Sequence, residues 1–185
     1  MPRIISGRAK GLQLKSLKGD HTRPSADRTK EALFSIIQAI IPGSSCLDLF
    51  AGSGQIGLEA LSRGADQAIF CEQNSQAFRV LQANLALTPF SDQARLYRKD
   101  ARTLISQLGK QEEKFDFIYL DPPWSQAETL LNALAPHLSQ LLTEQGILVI
   151  ELDRKQELQL PAMEGLSQSK ACHYGRAMLL FYKLT

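Results

Sequence analysis

Residues 46–54 read Cys46-Leu47-Asp48-Leu49-Phe50-Ala51-Gly52-Ser53-Gly54, an apolar strand that leaves through a glycine-rich turn for a helix. Missing side chains at such a turn let the backbone approach a nucleotide-like ligand. About seventy residues later a second apolar strand ends in Asp121-Pro122-Pro123-Trp124, which offers two oxygen acceptors and a flat aromatic. If the two strands are neighbours, a bound cofactor and a planar, amine-bearing substrate meet at one edge of one sheet.

The glycines alone are ambiguous, because Gly52-x-Gly54-x-x-Gly57 also satisfies the dinucleotide fingerprint, with Glu72 as a ribose-binding acid at roughly the ~20-residue spacing. Asp48 separates the readings. A carboxylate beside the ligand repels a pyrophosphate but attracts the ammonium and sulfonium groups of S-adenosylmethionine, which carries no phosphate. The methyl donor is therefore favoured over NAD. The competing role for Asp48 is to cap the amides of its own loop.

Outward from this stretch, apolar segments alternate with helical patterns. Strands are expected at 46–50, 67–72, 94–99, 115–121 and 146–152, and helices at about 55–63, then 75–87, 101–108 and 126–141. Such alternation requires parallel βαβ crossovers, hence a doubly wound α/β sheet with its ligand at the strand C-termini. An earlier helix carries Leu33, Ile36, Ile37, Ile40 and Ile41 after the potential caps Ser25 and Asp27, and Pro42-Gly43 stops it. Residues 167–173 and 177–184 read as a closing antiparallel hairpin.

With 185 residues, 44% of them hydrophobic, the chain can bury the core of a single domain. Cys46, Cys71 and Cys172 lack CxxC spacing, and His21, His137 and His173 form no ligand pattern, so no metal site is expected. No signal-peptide stretch or ~18–20-residue apolar run is present, which predicts a cytoplasmic protein. Charge is uneven. Residues 1–30 carry eight basic groups against Asp20 and Asp27, a net of +6; with +2 overall, the remaining residues hold −4. A basic segment on a mildly acidic body is an electrostatic footprint for nucleic acid. Ile4-Ile5, Leu12 and Leu14 interleave with these charges and Gly7, Gly11 and Gly19 supply turns, so a short N-terminal hairpin is expected, with Lys18–Arg23 as the linker. The division is a basic arm at 1–22 and a catalytic domain at 23–185.

The chain resembles the class I S-adenosylmethionine-dependent methyltransferases and, more narrowly, the RsmD family of 16S ribosomal RNA guanine-N2 methyltransferases. The resemblance rests on Arg3-Ile4-Ile5 with Gly7 and Gly11, on Arg23-Pro24-x-x-Asp27-Arg28-x-x-Glu31-x-Leu33-Phe34, on residues 47–54 with 57–65, on Asp121-Pro122-Pro123, and on Tyr174-Gly175. Ser25 stands where Thr is usual, and Trp124 where Phe or Tyr is commoner.

The resemblance implies a Rossmann-like, mostly parallel seven-stranded sheet with helices on both faces, and it implies site roles. Asp48, Phe50, Ala51, Gly52, Ser53, Gly54, Glu72, Asp100 and Ala101 would hold the cofactor. Glu72 would take the ribose hydroxyls, and Asp100 and Ala101 the adenine. Asp100 is also placed to cap the helix that follows. Asp121, Pro122, Pro123 and Trp124 would form the catalytic loop, with Asp121 and the Pro122 carbonyl orienting the amino group and Trp124 stacking on a flipped-out base. Arg3, Arg8, Lys10, Arg23 and Arg28 would bind RNA. The runner-up reading is an adenine-N6 methyltransferase of nucleic acid. A protein-amide methyltransferase is disfavoured by the leading Asp of the loop and by the basic arm, and a silent RNA-binding assembly protein would share the fold without turnover.

Overall fold

The computed structural model describes residues 2–17, 24–156 and 158–185. The linker expected at Lys18–Arg23 and the RNA contact expected at Arg23 lie outside them. Five strands run parallel: β1 (Ser45–Asp48), β2 (Gln67–Cys71), β3 (Ala94–Tyr97), β4 (Phe115–Leu120) and β5 (Leu142–Asp153). Between them lie α2 (Gln55–Ser62), α3 (Ser75–Leu85), α4 (Ala101–Lys110) and α5 (Ala127–Leu138), and α1 (Pro24–Ile36) precedes β1. The hairpin of β6 (Leu166–Tyr174) and β7 (Ala177–Leu184) completes seven strands in the order β3-β2-β1-β4-β5-β7-β6, with β7 antiparallel to both neighbours.

Because side chains alternate across a strand, the central strands supply two cores at once. Leu47, Ile69, Ile118, Leu148 and Ile150 pack with α4 and α5 side chains such as Leu104 and Leu131. Cys46, Phe70, Phe117, Tyr119 and Val149 pack with Leu33, Leu58 and Leu81 of α1, α2 and α3. This parity aims Asp48, two residues after Cys46, at the α2 side.

The elements differ from the periodic reading mostly at their ends. β1 to β4 leave the ladder one or two residues early, where the crevice opens, so Phe50, Glu72, Lys99 and Asp121 stand on loops. β5 starts earlier than 146 because its register with β4 shifts between Phe115 and Phe117, which tolerates the polar residues Thr143, Glu144 and Gln145. The first helix stops at Ile36, and turns bury Ile37 and Ile41 without extending the helix through these branched side chains.

The N-terminal residues double back as expected, through an Arg3–Gln13 bridge and the bonds Ile4 N to Leu12 O (3.0 Å) and Leu14 N to Pro2 O (2.8 Å). They lie flat on the domain. Ile4 and Leu14 are completely buried, the Ile5 and Ser6 amides donate to Glu59 at 2.7 and 3.0 Å, and the Lys15 amide donates to Asn84 Oδ1 at 2.7 Å.

Candidate active site

Between β1 and β4 the strand order reverses, and the helices that follow these two strands pack on opposite faces. A crevice must open at their C-terminal ends. It holds a cavity of about 380 Å³ bordered by Phe50, Gly52, Glu72, Asp100, Ala101 and residues 121–124. A smaller one of about 190 Å³ adjoins it, lined by Lys30, Asp48, Ala51, Ser53 and Tyr119. Phe50, Gly52, Asp121 and Glu151 line both. The glycine loop and the Asp121 loop therefore face one space.

Each glycine of the turn has its own reason. Gly52 (φ 54°) has nothing within 4 Å of where a Cβ would stand, so any side chain there would project into open space at the cavity. Gly54 (φ 84°) precedes α2 in the left-handed region, and a Cβ would meet Leu81 Cδ1 at 2.4 Å. Gly57, the third glycine of the apparent dinucleotide fingerprint, packs against Phe70, whose ring a Cβ would strike at 2.2 Å. It sets helix-to-sheet distance. The Ser53 carbonyl accepts Asn84 Nδ2 at 2.8 Å, fixing the loop to α3.

The three acids that the sequence reading assigns to cofactor binding are held differently. Glu72 accepts the Gly52 amide at 2.8 Å through Oε2 and the Asn74 amide at 2.7 Å through Oε1. A carboxylate oxygen has two lone pairs, so acceptor capacity remains for hydroxyl groups. Asp48 is nearly inaccessible; Oδ2 accepts a long 3.3 Å bond from the Gly57 amide, and Oδ1 is buried with no hydrogen-bond partner. Burial, reinforced by the nearby Glu72 charge, pushes its carboxyl up to about 7. Asp100 caps α4 through the Arg102 amide at 2.9 Å and also grips the Arg102 guanidinium at 2.8–2.9 Å. That side-chain hydrogen bond holds its carboxyl below the usual range.

An unpaired buried acceptor, an open position over Gly52 and a second acid at the next strand form a cradle suited to a cationic, hydroxylated nucleoside. Asp48 would face the positive end, Glu72 the ribose, and the start of α4 at Asp100 and Ala101 the base. Among the described residues no group of three or more His, Cys, Asp or Glu side chains could hold a metal ion.

On the other wall, Pro122 is buried whereas Asp121, Pro123 and Trp124 are exposed. Trp124 offers its ring to the Arg176 guanidinium, 4.5 Å from the ring centroid, and Asp153 steadies that guanidinium at 2.6–2.7 Å. The tip of the β6–β7 hairpin thus reaches the aromatic wall, a contact that sequence reasoning did not assign.

The basic N-terminal residues are not brought together at this crevice. The Arg8 amide bonds the Ser62 carbonyl at the far end of α2, its guanidinium bonds Gln93 at 2.8 Å, and it lies 4.9 Å from the Phe90 ring centroid. α2 starts at the cavity and has 8 residues, which puts its far end about 12 Å away. Arg3, Lys10 and Arg28 are exposed. Lys30, counted in the net charge of residues 1–30, is buried instead; its Nζ donates to the Arg3 carbonyl at 2.6 Å and stands 3.7 Å from Glu59, and burial lowers its pKa. Lys30, Tyr119 and Glu151 are lining residues the sequence reading passed over. Glu151 had one legible signal, as an acid inside the apolar run Ile150-Glu151-Leu152 at a predicted strand end.

Comparison with known proteins agrees with this architecture. The family model described as conserved hypothetical protein 95 matches residues 2–183. A Bacillus subtilis protein, YlbH, provisionally named an rRNA methyltransferase, is 39% identical over 98% of both chains. The chain belongs to the RsmD family. The Haemophilus influenzae ribosomal RNA small subunit methyltransferase D is 35% identical over 86% of this chain and 82% of its own. A solved Escherichia coli structure, yhhF, provisionally titled a methyltransferase, superposes with a TM-score of 0.80 at 29% identity, covering 98% of this chain and 97% of that one. The fold is that of the class I methyltransferases, and members of the family are methyltransferases.

Proposed function

We propose that this protein transfers a methyl group from S-adenosylmethionine to the exocyclic N2 amino group of a guanine in small-subunit ribosomal RNA. The observation that carries the proposal is the shared space: Gly52 and Asp121 border the same two adjoining cavities. Kinship with small-subunit rRNA methyltransferases supports the RNA substrate and, with it, a cytoplasmic place of action.

When bound, S-adenosylmethionine supplies an electrophilic methyl carbon. The protein's share is positioning. A guanine amino group is a poor nucleophile, because its lone pair is delocalised into the ring. Two N–H bonds, one to the Asp121 carboxylate and one to the Pro122 carbonyl, hold the nitrogen toward the cofactor side, and exposed Asp121 takes up the proton released. The consecutive prolines stiffen this loop, and Trp124 supplies a stacking face for a base out of its helix. Catalysis then comes from fixed geometry, with effective molarity in place of collision.

The test is to incubate the protein with labelled donor and small-subunit RNA or particles, then digest to nucleosides. The label is expected in N2-methylguanosine, and Asp121→Ala should retain donor binding while losing rate by about 10²–10³-fold. Label in N6-methyladenosine would transfer the assignment to adenine, and no turnover on either substrate would leave a silent binding protein.

A further inference from the structure

The positioning scheme leaves one acid at the crevice without a role. Glu151 follows Ile150, which pairs in register with Leu120, so Asp121 and Glu151 continue the β4–β5 alignment one residue beyond its last pair. Neighbouring strands stand about 4.8 Å apart, and residues opposite one another share a face. Tyr119 and Val149, two residues earlier, pair with each other and pack in the α1–α2 core, which assigns Asp121 and Glu151 to that same side. Both acids border both cavities.

Glu151 is also held. The Tyr119 hydroxyl donates to its Oε2, and Tyr119 is itself buried against Phe117 with ring centroids 6.2 Å apart. Burial raises the Glu151 carboxyl above its ordinary range, and the Tyr119 hydroxyl, by donating to the ionised acceptor form, opposes that rise without cancelling it. Two acids at neighbouring strand ends, both bordering the same cavities, can offer acceptors to two adjacent donors on a ligand.

Resting on the guanine-N2 reading above, we propose that Glu151 selects the base, accepting the N1–H of the guanine Watson–Crick edge while Asp121 accepts the neighbouring N2–H. Guanine presents these two donors next to each other. Adenine and cytosine place an acceptor, N1 or N3, beside their amino group, where it would face the Glu151 carboxylate lone pairs. Uracil presents an N–H but no amino group. The second carboxylate thus makes the pocket reject an amino-bearing base whose ring nitrogen lacks a proton.

The test uses small-subunit RNA carrying either guanine or 2-aminopurine at the mapped methylation position. The analogue keeps the N2 amino group and turns N1 into an acceptor. The wild type should prefer guanine by roughly 100-fold or more in kcat/KM. Glu151→Gln presents an amide N–H to N1, so its preference should fall at least about tenfold, with donor affinity by calorimetry within about threefold of wild type. Comparing the two preferences cancels the loss of O6, which is common to both enzymes. Tyr119→Phe, which keeps the packed ring and removes only the hydroxyl, should move the preference in the same direction by a smaller factor, and it serves if Glu151→Gln does not fold. An unchanged preference in a folded variant overturns the assignment, as does loss of donor binding without a change in preference. A wild type that makes no N2-methylguanosine would instead count against the guanine-N2 reading itself.

Discussion

Two buried carboxylates touch helix α2, and they are treated in opposite ways. Glu59, toward its far end, is completely inaccessible and saturated: it accepts the Ile5 and Ser6 amides and Arg63 Nε, and Lys30 Nζ stands 3.7 Å away. Asp48, toward its cavity end, is almost as buried but receives one 3.3 Å bond from Gly57 and only a weak approach of the Phe50 amide, and its Oδ1 has no well-formed hydrogen bond. A buried charge surrounded by its own chain's donors is a structural fastener, whereas one left short of donors is poised for a ligand. Burial alone does not separate the two roles. The state of the lone pairs does.

The sharpest way to break this contrast is to remove the saturated acid. Glu59→Ala leaves Lys30 buried without its counter-ion and two amides without acceptors, so unfolding in urea should show a loss of about 3–5 kcal/mol. A loss below about 1 kcal/mol would mean that the N-terminal segment docks through its apolar side chains and its bonds to Ser62, Asn84 and Gln93, with Glu59 adding little. The opposite pattern is expected at the other end. Asp48→Asn should cost donor affinity by about 1.5–3 kcal/mol in calorimetry while leaving stability at pH 8 equal or higher, since an unpaired charge is no longer buried.

The same acid makes the contrast visible without mutation. Its carboxyl is raised to about 7, above the ordinary ~3.9 of the unfolded chain. Between roughly pH 4 and 7 the folded state holds a proton that the unfolded state has released, so Asp48 makes stability fall as pH rises through that window, and the cost is complete above it. Affinity for a cationic donor should rise over the same upper range. Unfolding and calorimetry at pH 5, 6, 7 and 8 should show both trends in the wild type and neither contribution in Asp48→Asn. The smallest effect belongs to the rim. Arg176 is half-exposed, so Arg176→Ala should move the urea midpoint less than Glu59→Ala does, despite losing both the Trp124 ring and Asp153.

The order of elements was legible because it follows from hydrophobic period, and the site's two halves were legible because glycines and Asp-Pro-Pro act locally. Strand ends were less so. Phe50, Glu72 and Asp121 have strand-like sequence contexts, and only the opening of the crevice takes them out of the ladder. What could not be read was anything requiring partners far along the chain. Lys30 looks like one more surface cation until Glu59 is folded beside it. Asp100 and Arg102 are two residues apart, yet their pairing depends on the cap geometry at α4. The +6 of the first thirty residues suggested a nucleic-acid arm, but charge counting cannot see that Lys30 is buried or that Arg8 lies on Phe90.

The docked N-terminus also constrains the order in which the molecule is made. Residues 2–17 leave the ribosome before their partners, because the groups that receive them, Glu59, Ser62, Asn84 and Gln93, lie 53–85 positions further along. Such contacts close late, after the loop entropy of the intervening chain has been overcome. During synthesis this stretch, with Ile4 and Leu14 still uncovered, must wait until α3 and the turn before β3 have emerged. A segment made before its partners is therefore among the last to reach its native place, and its seating reports that the first half of the sheet is already formed.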